Sequence, residues 1–147
     1  MITIADIKKA VVSVLKKNGY TVTATEVQEG FSKPCCFVDV LPVQVTVESA
    51  NCERVTDSVE ITYFPAVETK EEMVAAAEHF KNIFLYSSLA VNDRFLSTNE
   101  ITFDADKSSL VTNFDLEYLQ ETNVKREEHP KMQKLEERVV KLNYGTP

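Results

Sequence analysis

Two histidines and three cysteines are the residues of this chain best equipped for chemistry, and their placement gives them few partners. His79 sits beside Phe80 on a predicted helix, and His129 follows the charged run Lys125-Arg126-Glu127-Glu128. A zinc site needs several Cys, His or carboxylate ligands at short fixed spacings, and neither histidine has them. A nucleophilic thiol needs a base against it. Cys35 or Cys36 would meet His79 only if the fold brought them together. Adjacent residues on a strand point to opposite faces, so a disulfide between Cys35 and Cys36 is strained. Free, buried thiols in a reducing compartment are the expectation. Asp104 and Asp106 flank a turn but lack the further oxygen ligands of a calcium loop. Gly19, Gly30 and Gly145 are too far apart to form a phosphate-cradling loop. Phe and Tyr fall at core parities rather than among basic residues, which suits packing better than base stacking. The residues therefore assign no catalytic group, no cofactor-binding group and no metal ligand. A good core, long strands and no site suit an assembly component better than an enzyme.

The elements that would position any site are dominated by a two-strand unit from Pro34 to Pro65. Cys35 to Leu41 is apolar on both faces, as in a central strand. From Val43 the pattern becomes strict alternation: Val43, Val45 and Val47 on one face, Gln44, Thr46 and Glu48 on the other. Ser49-Ala50-Asn51-Cys52 reads as a turn, and alternation returns through Val55, Val59, Ile61 and Tyr63. Each arm would reach roughly 45–50 Å at ~3.3 Å per residue. That is far beyond the usual strand of ~5–6 residues. A small core cannot cover the outer half, so Val43, Val45, Val47 and Val55 are candidate subunit-interface residues, and a second copy of the chain is the simplest cover.

Ile4, Ile7, Val11 and Val14 have helical spacing, with Thr3 and Asp6 as a capping box and Asn18-Gly19 as the stop. This predicts a helix over residues 4–18. Residues 20–27 alternate as a strand near a sheet edge. Thr69-Lys70-Glu71-Glu72 is a second capping box, and Met73, Ala76, Ala77, Phe80 and Phe84 form the buried stripe of a second helix. A second hairpin follows. Its first arm is irregular through Phe95, Ile101 and Phe103, and its second runs cleanly through Leu110, Phe114, Leu116 and Tyr118. Met132, Leu135, Val139 and Leu142 predict a helix over 130–142, after Pro130. The order is αβββαββα. It predicts an α+β single domain with a mixed or mainly antiparallel sheet flanked by helices, with residues 1–120 as its body and 121–147 as a charged, helical C-terminal segment.

The net charge of −7 is uneven. Residues 1–120 hold 10 Lys+Arg against 18 Asp+Glu, and residues 121–147 hold 6 against 5. An acidic body argues against direct readout of nucleic acid. It suits solubility, or docking onto a basic protein partner. No apolar run approaches the ~20 residues of a membrane span, and the N-terminus lacks the pattern of a signal peptide. The expectation is a protein made in the cytosol.

The opening helix, Gln28-Glu29-Gly30-Phe31, Lys33-Pro34-Cys35-Cys36-Phe37, the return Val59-Glu60-Ile61-Thr62-Tyr63-Phe64-Pro65 and Leu116-Glu117-Tyr118 together carry a resemblance. Over roughly residues 1–120 the chain resembles the tail-terminator proteins of long-tailed phages, particularly those of Gram-positive hosts, and of prophages and phage-tail-like particles. The resemblance implies an α/β domain that forms a ring, commonly a hexamer, in the virion tail. Such a ring sits on the tail-tube protein, ends tube growth and faces the head-tail connector or neck protein. It implies no enzyme and no cofactor. A different neck or tail-completion component is the alternative within the assembly class. A small cytosolic enzyme or regulatory binding domain is the alternative outside it, and a large pocket with convergent polar groups would favour that reading.

Overall fold

The first helix, α1 (Ile4–Lys17), starts where the sequence places it. The Asp6 backbone N–H donates to Thr3 Oγ1 at 3.2 Å, and the Thr3 N–H donates to Asp6 Oδ2 at 2.9 Å. This reciprocal cap satisfies two of the N–H groups that a helix start leaves open. Gly19 ends the helix with φ +91°, a conformation that suits a residue without Cβ. Ile7, Val11 and Leu15 are fully buried against the sheet. The computed structural model describes residues 1–23 and 33–122. The helix expected over 130–142, most of the segment 121–147 and the later part of the strand expected over 20–27 lie outside the described residues.

β1 (Val22–Thr23) is the short described part of that strand. It pairs in parallel with β2 (Cys35–Ser49) at the sheet edge. β2 turns back into β3 (Cys52–Phe64), and these two strands of 15 and 13 residues are the predicted long hairpin. β3 pairs with β7 (Leu110–Glu121) and β7 with β6 (Ile101–Ala105), all antiparallel. The result is a mixed five-stranded sheet in the order β1-β2-β3-β7-β6. One face carries α1 and α2 (Lys70–Phe80), and the fold is α+β.

Two local features depart from the sequence expectation. The irregular first arm of the second hairpin divides in two. β4 (Leu89–Val91) and β5 (Arg94–Leu96) form their own two-stranded sheet, and only β6 joins the main sheet. Asn92 makes the tight β4–β5 turn with φ +55°, and its Nδ2 donates to Asp6 Oδ2 at 3.1 Å. The small hairpin is thus tied to the start of α1. The second departure lies after α2, where the chain continues as a π-helical turn, Lys81–Leu85. Thr69 caps α2, accepting from the Glu72 N–H at 3.3 Å, but the expected box is only half formed: the Thr69 N–H donates to the Val67 carbonyl at 2.8 Å instead of to Glu72.

The core lies between the sheet and the two helices. Cys36, Val38 and Val40 of β2, Val59, Ile61 and Tyr63 of β3, and Leu110, Phe114 and Leu116 of β7 share the covered face. At the α2 end an aromatic cluster fills it. The Phe80 ring centroid lies 5.1 Å from Tyr20, 6.0 Å from Tyr63 and 6.3 Å from Phe84, and Phe84 stacks on Phe114 at 5.0 Å.

Candidate assembly surface

The register of the long hairpin decides where the valine stripe points. Cys35 to Pro42 pair with Phe64 to Asp57 without a break. A bulge then falls between Pro42 and Gln44, so that Gln44 meets Thr56 and Val45 meets Val55. One inserted residue reverses the alternation. Up to the bulge, even-numbered residues of β2 face the core; beyond it, Val45 and Val47 take that side. Pro42, which cannot donate to a ladder, sits at the irregularity. The apolar stripe therefore runs along one face of the hairpin, first under the helices and then past them.

Past the helices the stripe is bare. Val43, Val45 and Val47 are 57%, 57% and 61% exposed. Val55, also expected beyond reach of the core, is not: it is 7% exposed and belongs to the core cluster. It lies one strand further in, between Val45 on β2 and Tyr118 on β7, whereas the outer half of β2 has no strand beyond it among the described residues. Val45 and Val47 thus form an exposed apolar patch on an edge strand, with exposed Val43 at the bulge beside them, and Val55 is part of the floor behind it.

The outer half is nevertheless held firmly. On the opposite face Arg54 Nε donates to Glu48 Oε2 at 3.1 Å and its Nη1 to Glu117 Oε1 at 3.3 Å, tying β3 to both neighbours. On the covered face Tyr118 Oη donates to Asp57 Oδ2 at 2.8 Å. Asp57 is 2% exposed, a position a carboxylate occupies only with a partner. Burial, and then the Asp57 hydrogen bond, push the Tyr118 hydroxyl well above the usual phenol range, so it stays a donor. The Arg94 guanidinium lies 5.8 Å over the Tyr118 ring, and its Nη1 donates to the Leu119 carbonyl at 2.6 Å. Sequence reasoning passed over this pair. Its signal was available: Asp57 has the parity of Val55 and Val59, which puts a carboxylate on the buried face.

Of the residues best equipped for chemistry, His79, Cys35 and Cys36 are occupied otherwise, and His129 lies outside the described residues. His79 Nδ1 is 2.7 Å from Tyr20 Oη and packs within the aromatic cluster. Cys35 and Cys36 are buried, and burial raises both thiols, Cys36 to about 12. At neutral pH they are protonated and poor nucleophiles. Among the described residues no three His, Cys, Asp or Glu are grouped as a metal site, and no helix is long and apolar enough to cross a membrane. Substituting both thiols, Cys35→Ala with Cys36→Val, is expected to cost about 1–3 kcal/mol in a denaturant melt while leaving assembly intact. Loss of assembly in a variant that still folds would restore a chemical role for them.

A second apolar surface lies at the other end of the sheet. Met73, Val74 and Ala77 of α2 face Phe103 of the edge strand β6 and Leu110 of β7 across a cleft of about 670 Å³. Val74 is 49% and Phe103 37% exposed. The α2 stripe read from sequence leaves Val74 out, and an apolar residue beside a helix's buried stripe is the signal of a second contact.

A comparison with curated proteins finds no match. A family model does match: phage tail terminator protein, over residues 6–130. That span runs from the first turn of α1 through the whole main sheet, α2 and the small hairpin, so the likeness extends along the domain and does not rest on one motif. The chain belongs to the phage tail terminator family and is a structural protein of a phage tail.

Proposed function

We propose that copies of this chain close into a ring, hexameric as the sequence resemblance implies, that seats on the last ring of tail-tube subunits. There it stops polymerisation and presents the joining surface for the head connector or neck protein. Membership of the terminator family is the observation that carries this reading. The physical logic is that tube subunits add by one repeating head-to-tail contact, which continues until a different ring occupies the growing end. The bare valine patch supports self-association: an apolar strip on a projecting edge strand is ordinarily covered by a partner. The acidic body, 18 Asp+Glu against 10 Lys+Arg over residues 1–120, supports docking on basic groups of the tube end. Such docking weakens as salt is added.

Electron microscopy of particles assembled without this chain tests the proposal. The expected result is tubes of uncontrolled length, or tubes that never join a head. Normal-length, head-bearing tails would rule out termination. Docking to tube ends that ignores salt would remove only the electrostatic part.

A further inference from the structure

Two exposed apolar surfaces of the described residues sit at opposite corners of the same side of the sheet. The patch lies on β2, with Val45 at its centre level with Val55 and Tyr118. The cleft lies between α2 and β6, level with Ala105 and Leu110. Eight residues of β7 separate Leu110 from Tyr118, about 27 Å at ~3.4 Å per residue. Between β2 and β6 stand β3 and β7, adding about 14 Å across the sheet. The two surfaces cannot overlap or meet within one protomer.

Their charges are complementary as well. Glu53 shares the face of Val45 and Val47, next to the hairpin turn, and forms no ion pair among the described residues. Lys70 and Lys107 line the cleft, are exposed, and also have no ion-pair partner there. Of the acidic residues on that lining, one is balanced by a lysine from outside it and the other keeps its charge. Glu68 pairs with Lys33 at 3.1 Å, and Asp106 accepts the Lys107 backbone N–H. The patch thus offers the anion Glu53, and the cleft, with Lys70 and Lys107 set against Asp106, keeps one surplus positive charge.

We propose that the subunit contact is heterologous: the hairpin patch of one copy seats in the α2–β6 cleft of the next. This deepens, and rests on, the self-association reading above. A contact between two different, distant surfaces repeats from copy to copy and closes a ring when its rotation allows. A patch-to-patch contact would close at a dimer instead. The projecting hairpin is then the arm that reaches the neighbour, and Phe103 and Val74 form the walls that receive it.

The test mixes two variants of the full chain, each with one surface disabled. Val45→Asp spoils the patch, and Val74→Asp spoils the cleft. Both positions are at the surface, so both protomers should fold. Val45→Ser and Val74→Ser replace them if circular dichroism shows otherwise. By mass photometry or sedimentation, the wild type is expected as a ring and each variant alone as a monomer. The mixture is expected to give a 1:1 dimer and nothing larger, since one good contact remains. The charge-reversed pair Glu53→Lys and Lys107→Glu, combined in one chain, should assemble better than either alone. A Val74→Asp variant that still forms rings or dimers, or a mixture that stays monomeric, overturns the proposal. A wild-type chain that stays monomeric at high concentration also overturns this contact. The capping role is decided separately, by tail length.

Discussion

Val45→Asp is expected to abolish ring assembly outright while leaving the protomer folded. The side chain is 57% exposed in the isolated protomer, so the monomer loses little beyond the strand preference of valine, about 1 kcal/mol or less. Within a contact the same change buries a carboxylate against apolar atoms. An uncompensated buried charge costs about 3–5 kcal/mol, and a ring bears that cost at every interface. Tails assembled with this variant should resemble those assembled without the chain. The check has two readouts. Thermal unfolding should shift by only a few degrees, whereas sedimentation should show monomer only. Rings in the variant would mean that the outer hairpin faces solvent in the assembly. A collapse of the fold would mean that the patch belongs to the protomer core.

Phe80→Ala is expected to have the largest effect on the protomer itself. Phe80 is fully buried at the end of α2, with Tyr20, Tyr63 and Phe84 around its ring. Removing a buried phenyl ring loses its transfer free energy and leaves a cavity, together about 3–5 kcal/mol. The neighbours come from the π-helical turn, β3 and the chain before β1, so no single element can move in to fill the space. A domain has only about 5–15 kcal/mol in total. Urea unfolding should show the midpoint fall sharply with an unchanged slope. The variant should also assemble less at working temperature, because less of it is folded. A loss below about 1 kcal/mol would mean that the cluster repacks around the gap.

Much of this fold could be read in the chain because its determinants are local. The capping pair Thr3 and Asp6, the stop at Gly19, the period of Ile7, Val11 and Leu15, and the alternation of Leu110 through Tyr118 each depend on residues a few positions apart. The long hairpin was legible for the same reason, and its length by itself pointed to a part that one protomer could not cover. What the sequence left open was how far the cover extends. Val45 and Val55 are the same residue type on the same alternating face, directly opposite each other, yet one is bare and the other buried. That difference is set by strand order: β3 has β7 beside it, with Tyr118 next to Val55, whereas the outer half of β2 has an open edge among the described residues. The side on which the stripe emerges was likewise not readable, since it depends on the Pro42–Gln44 bulge, which shows only when two strands are set against each other. The α2–β6 cleft is the extreme case. Val74 and Phe103 are 29 positions apart and meet because β6 adds to β7 and not to the small hairpin beside it. Sequence patterns report which face of an element is apolar. Only the packing of distant elements decides which apolar faces are already covered and which are left for another chain.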